Sequence, residues 1–123
     1  MIPKRLLVAD RVRQVPRDGF SWIDRRFVRE YAERLTGDAI ALYFFLAAVS
    51  DKQGLSFYSD ATIAARLRMR EPAIVAAREE LLDHDLVAYQ HPLTQVLSLP
   101  PARVSRSGLH GLGELVRSLK NVE

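Results

Sequence analysis

The alternation of hydrophobic and polar residues between Ser59 and Leu99 predicts two helices followed by two strands. The first helix spans Ala61–Leu67, after residue types that cap helix N-termini, and the second opens at Glu71-Pro72. The period then changes to the two-residue alternation of a strand, and His91-Pro92-Leu93 is typical of a turn. A β-rich run, Thr94–Leu99, ends at a pair of prolines.

The second predicted helix has one apolar side and one acidic side. Its apolar stripe, expected to pack on a core, is Ile74, Ala77, Leu81 and Leu82. At about 100° per residue, the opposite side carries Pro72, Ala73, Ala76, Glu79, Glu80 and Asp83. Arg78 lies at the edge of the stripe, so we expect its stem to pack and its head to pair with Glu79 or a more distant acid.

Two more helices are predicted upstream. Ser21 is a capping residue type for a helix from Trp22 to Leu35, with Asp24 as its capping-box partner. A further helix, from Ala39 to about Ser50, is apolar on all sides and must therefore be buried over most of its surface. Either the Trp22–Leu35 helix or a second copy of the chain is expected to cover it.

With a short strand predicted at Leu55–Tyr58, the order of elements is helix, helix, strand, helix, helix, hairpin. The segments 41–46 (ALYFFL), 51–56 (DKQGLS), 62–64 (TIA) and 85–89 (DLVAY) resemble winged-helix domains of plasmid and phage replication initiators and related mobile-element proteins. The resemblance implies a mainly α (α+β) fold: a winged helix-turn-helix over residues 20–99, with an extra N-terminal helix and a small β-hairpin wing. It also implies sequence-directed binding of duplex DNA, in replication initiation or transcription control on a mobile element.

Charge is distributed unevenly along the chain. Residues 1–35 hold nine Lys/Arg and five Asp/Glu, residues 36–99 hold five and eight, and residues 100–123 hold four and two. The predicted domain is therefore acidic between basic flanks, unlike a uniformly basic DNA-binding domain. The outer side of the second motif helix also lacks the Arg, Lys, Asn and Gln side chains that commonly read bases.

Basic and polar residues around the motif are the candidate DNA-binding residues. They lie in an N-terminal arm (residues 1–19), at the turn between the two motif helices and at or beside the hairpin tip: Lys4, Arg5, Arg11, Arg13, Arg66, Arg68, Arg70, Gln90, His91 and Gln95. Pro3 and Pro16 disfavour helix in the arm, which either enters a minor groove, stays solvated or forms a strand through Val12 and Val15.

The alternative function is a winged-helix adaptor that binds protein through the acidic helix face: Glu79, Glu80 and Asp83. Residues 100–123 are predicted to be a linker and a short amphipathic helix. That helix is expected to dock on its own domain, a protein partner or a second copy, and the Ile40–Val49 helix is a second surface for a partner or a second copy.

No catalytic constellation is recognisable, so we expect no enzyme, cofactor or metal. The three histidines fall on different predicted elements, without metal-ligand spacing. The absence of cysteine fits a reducing compartment, and the longest apolar run, Ile40–Val49, is far shorter than the roughly 20 residues that cross a bilayer. We therefore expect a cytoplasmic protein with no membrane association.

Overall fold

The computed structural model describes residues 2–101, which form a small α+β protein. A three-stranded antiparallel sheet packs with three α-helices, and shorter helical turns precede them. The helices and strands are α1 (Gly37–Val49), β1 (Leu55–Phe57), α2 (Asp60–Leu67), α3 (Glu71–Asp83), β2 (Val87–Gln90) and β3 (Leu93–Val96). The helical turns are two 3₁₀ turns (Ala9–Arg11 and Ala32–Arg34) and one π-helical turn (Phe27–Tyr31).

The sheet has the strand order β1-β3-β2, so the last strand lies between the first two. β2 and β3 form a hairpin whose turn contains a cis His91–Pro92 peptide. Before β1, Gly54 has φ +83°, and a Cβ there would lie 2.5 Å from the carbonyl oxygen of Val96. This close approach requires glycine, because any side chain would collide with the backbone of β3.

Side-chain caps fix the starts of α1 and α2. Thr36 Oγ1 accepts the N–H of Ala39 at 3.2 Å, and Ser59 Oγ accepts the N–H of Thr62 at 3.1 Å. α2 ends at Arg68, which has left-handed backbone angles and donates its N–H to Ala64. These boundaries confirm the α2, α3 and hairpin predictions to within one to three residues.

The predicted Trp22–Leu35 helix is wrong in its start and its type. Ser21 does not cap it, because its hydroxyl donates to the carbonyl of Ala48 at 3.0 Å. Instead, an Asp24 carboxylate oxygen accepts the N–H of Arg26 at 2.8 Å, and helical structure begins there. Residues 26–35, called the 26–35 segment below, contain π and 3₁₀ turns rather than an α-helix.

The 26–35 segment nevertheless covers α1, as one of the two alternatives predicted. Phe27 is fully buried and its ring stacks on that of Tyr43 at 4.0 Å, with an interplanar angle of 4°. Tyr31 and Leu35 follow at spacings of four residues and are buried in the same core. The core continues through α2, α3 and the start of β2: Ile63, Ile74, Ala77, Leu81, Leu86 and Val87.

An arginine joins the 26–35 segment to the end of the described chain. Arg26 donates to both carboxylate oxygens of Glu30 at 3.1 Å and to the carbonyl of Pro100 at 2.7 Å. The hydrogen bond from Arg26 lowers the pKa of Glu30 below its ordinary value. The contribution of this pair to stability is therefore present at neutral pH and is lost as the pH falls through the pKa of folded Glu30.

The N-terminal arm lies outside the core. All its residues from 2 to 19 are exposed, and the arm contains a single 3₁₀ turn at Ala9–Arg11. The alternative of a strand through Val12 and Val15 is therefore wrong. The predicted C-terminal helix and most of its linker lie outside the described residues. Within residues 2–101, no helix has the length and apolar character needed to cross a membrane.

Candidate nucleic-acid interface

Three predicted DNA-binding residues lie where α2 ends and α3 begins. Arg66 is in the last turn of α2, Arg68 is its C-cap, and Arg70 is the N-cap residue of α3. All three are exposed, and none forms an ion pair with another residue in the 2–101 range. We call them the connector arginines. They place three positive charges within five consecutive positions, at the junction of two packed helices.

The exposed side of α3 differs from the predicted one at five positions: it gains Glu71, Val75 and Leu82, and it lacks Ala73 and Glu80. Leu82, predicted to be in the core, is 38% exposed, and Val75 is 43% exposed. Ala73 and Glu80, predicted to face outward, are only partly exposed. The outer side is therefore made of Glu71, Pro72, Val75, Ala76, Glu79, Leu82 and Asp83, which still includes none of the usual base-reading side chains.

Arg78 is buried in the core, whereas Leu82, which was expected there, is exposed. Its side chain is 8% exposed and forms an ion pair with Asp60 at the start of α2. Its guanidinium lies 4.1 Å from the centre of the Tyr89 ring. The prediction that its stem packs and its head pairs with a distant acid is confirmed, so Arg78 links α2, α3 and the hairpin from inside.

Glu80 is not a free member of the acidic face. Its two carboxylate oxygens accept the N–H of Thr36 at 2.6 Å and the hydroxyl of Thr36 at 2.8 Å. The same hydroxyl accepts from Ala39, so Glu80 supports the cap of α1. The predicted protein-binding set of Glu79, Glu80 and Asp83 thus keeps two exposed carboxylates, and no signal in the sequence indicated the long-range contact of the third.

We expect Glu80→Ala to lower the free energy of unfolding by about 1.5 kcal/mol, because both hydrogen bonds to Thr36 involve a charged acceptor. The matched control is Glu79→Ala on the neighbouring, exposed residue, which should change it by less than about 0.5 kcal/mol. Urea denaturation followed by circular dichroism measures both. Equal effects of the two substitutions would contradict the assigned capping role.

The hairpin presents two of its predicted polar residues on one face and the third at its tip. Gln90 and Gln95 lie on the exposed face of the sheet, where Phe57, Leu93 and Gln90 also form a cross-strand row. Gln95 is away from the tip, because it pairs with Ala88 of β2, whereas Gln90 pairs with Leu93 next to the turn. His91 is at the tip, and its Nδ1 lies 3.0 Å from the hydroxyl of Tyr89. No sequence signal indicated that Phe57 would be 69% exposed on this face.

The arm holds the remaining candidates: Lys4, Arg5, Arg11 and Arg13. All are exposed, as is Arg17, and the arm's hydrogen bonds from Arg11 to Val8 and from Gly19 to Pro16 stay inside it. No described ion pair or hydrogen bond brings these residues to the connector arginines. The structure therefore gives three separate groups of candidates: arm, connector and hairpin.

Comparisons with protein-family models, curated proteins and solved structures find no significant match to the chain. Among residues 2–101, no group of three or more acidic or histidine side chains is arranged to hold a metal ion.

Proposed function

We propose that residues 20–99 form a winged helix-turn-helix domain that binds duplex DNA. The order of elements supports this: α1, β1, α2, α3 and then an antiparallel hairpin, with β1 pairing to its last strand. In such a domain α3 is the second helix of the motif, which enters the major groove, and the hairpin is the wing.

The observation that carries the proposal is the exposure of the three connector arginines. Guanidinium groups bind phosphate strongly, and phosphate contacts position a protein on the duplex. The connector places these groups at the end of α3 that approaches bases in helix-turn-helix proteins. We propose that the connector arginines anchor the backbone beside the groove, while the hairpin tip and arm add further contacts.

The arm is suited to contacting DNA because it is basic, exposed and not packed on the core. Lys4, Arg5, Arg11 and Arg13 would follow the backbone or enter a minor groove next to the motif. In line with the resemblance of residues 20–99, we propose a cytoplasmic role in replication initiation or transcription control on a mobile element.

The test is a salt titration of DNA binding by the full chain, followed by fluorescence anisotropy with a labelled random-sequence duplex. Arg68→Ala/Arg70→Ala should weaken binding and reduce the slope of log affinity against log salt by about two, because each lost phosphate contact contributes about one. Circular dichroism melts would show that the variant remains folded.

The matched control is Arg25→Ala/Arg29→Ala, which removes the same charge from two exposed arginines in and beside the 26–35 segment. It should leave the slope near that of the unchanged chain. Equal slopes for the unchanged chain and the connector variant would contradict the proposed interface.

A protein-binding adaptor is the second candidate, favoured by the outer side of α3. Leu82 is 38% exposed between the exposed carboxylates Glu79 and Asp83. An apolar residue flanked by acids suits a basic, amphipathic protein segment. The same titration separates the two functions, because an adaptor would not bind duplex DNA even at low salt.

A further inference from the structure

The first half of α3 presents an outer surface made of hydrocarbon. Pro72 and Ala76 are exposed, and Val75 is 43% exposed. None of these side chains carries a hydrogen-bonding group, and the core is already filled by Ile74 and Ala77 from the same turns. This surface therefore has small apolar groups to offer to a partner.

One turn further along, Glu79 adds a single kind of polar group. Its side chain is exposed and has no hydrogen-bond or ion-pair partner within residues 2–101. The Glu80 side chain, in contrast, is hydrogen-bonded to Thr36, and that of Arg78 is paired with Asp60. A carboxylate is a hydrogen-bond acceptor without a donor. The outer side of α3 can thus make apolar contacts and accept hydrogen bonds, and it donates none from these side chains.

These properties match the edges that the pyrimidine bases, thymine and cytosine, present in the major groove. Thymine presents a C5-methyl group there, and cytosine presents an N4 amine that donates. Guanine presents two acceptors, which need a donor such as arginine, and adenine is best read by Asn or Gln. Carboxylates also repel phosphates, so α3 would contribute selectivity rather than general affinity.

We propose that α3 reads pyrimidines: Pro72, Val75 and Ala76 contact thymine methyl groups, and Glu79 accepts from the N4 amine of cytosine. This inference depends on the proposed function, since the connector arginines must first hold α3 at the groove. The preferred site is therefore a duplex with thymine and cytosine on the strand that faces α3. In this proposal α3 selects the bases, and the connector arginines, the hairpin tip and the arm supply the affinity for DNA.

The experiment begins with selection of a preferred duplex from a random-sequence library by the full chain. The selected duplex is then made with uracil in place of thymine, which removes methyl groups and leaves pairing unchanged. We expect affinity to fall about fourfold for each contacted methyl, as for the loss of one buried methylene. Val75→Ser should bind the thymine and uracil duplexes with a smaller difference.

Two further variants sharpen the result. Leu82→Ser removes an apolar residue of similar exposure from the second half of α3 and should keep the full thymine-to-uracil difference. Glu79→Gln should shift the selected base from cytosine towards adenine, because an amide both donates and accepts.

Equal affinity for thymine and uracil duplexes, with an unchanged base preference in Glu79→Gln, would overturn the pyrimidine reading. In that case salt-dependent binding would still stand and the proposed function would survive. Failure to bind any duplex at low salt would overturn both.

Discussion

Phe27→Ala is expected to lower the free energy of unfolding by about 3–5 kcal/mol, a large part of the roughly 5–15 kcal/mol available to a domain. Phe27 is 0% exposed and contacts two aromatic rings of α1: it stacks on Tyr43 at 4.0 Å and meets Phe44 edge-on at 5.9 Å. Its removal would leave a cavity against α1, which is rich in apolar residues.

The matched control is Val28→Ala, because Val28 is the next residue and is 60% exposed. It should change stability by less than about 0.5 kcal/mol. Urea denaturation at fixed protein concentration measures both variants. A cost below about 1 kcal/mol for Phe27→Ala would show that the 26–35 segment is not part of the cooperative fold, and that α1 needs another cover.

Local signals explain why much of the fold could be predicted. Ser59 lies before α2, Pro72 is in the first turn of α3, and Pro92 lies in the hairpin turn. Each acts on backbone within a few residues, so the starts of α2 and α3 and the place of the hairpin turn follow from the sequence alone. The four-residue spacing of Phe27, Tyr31 and Leu35 is likewise a local pattern, typical of one buried side of a helical segment, and all three residues are buried.

The errors arise where a side chain is used by a distant element. Ser21 looked like a cap, but its hydroxyl bonds to Ala48, 27 residues away. Glu80 looked like a solvated acid, but it binds Thr36, 44 residues earlier. Arg78 takes the core position expected for Leu82, because Asp60 and the Tyr89 ring together satisfy a guanidinium inside the fold. Periodicity contains no information on such partners.

Contacts with distant elements also explain why only part of the candidate site could be predicted from the sequence. The exposure of the connector arginines follows from their place at helix ends, which the caps define. The composition of the outer side of α3 does not follow from the sequence, since Leu82 is exposed on it and Arg78 is buried in the core. Val75, on which the pyrimidine reading depends in part, is exposed on the same side.

Arg78→Ala is expected to lower the free energy of unfolding by about 2–3 kcal/mol. Breaking a buried ion pair usually costs about 3–5 kcal/mol because it leaves a charge unpaired. The Asp60 side chain is 28% exposed, so water would stabilise part of the remaining charge and reduce the cost. The lost contact with the Tyr89 ring adds to it, since a guanidinium over an aromatic face is favourable.

Arg78→Lys separates the two contributions, because lysine keeps the charge but has no planar group to stack on Tyr89. Asp60→Asn, alone and combined with Arg78→Ala, gives the coupling energy of the pair in a double-mutant cycle. Arg66→Ala, which removes an exposed arginine, is the surface control. Additive effects of the Asp60 and Arg78 substitutions would contradict the ion pair as a source of stability.

The same variant distinguishes an internal support from a DNA contact. Arg78 is buried, so Arg78→Ala should leave the salt dependence of DNA binding unchanged under conditions where the variant is folded, unlike loss of the connector arginines. Tyr89 lies over Arg78 and its hydroxyl contacts His91 at the hairpin tip. Loss of the guanidinium should therefore speed hydrogen exchange of the β2 amides that pair with β3, because Tyr89 in β2 would lose its packing contact with Arg78. A reduced salt slope in folded Arg78→Ala would instead place this arginine at the DNA surface.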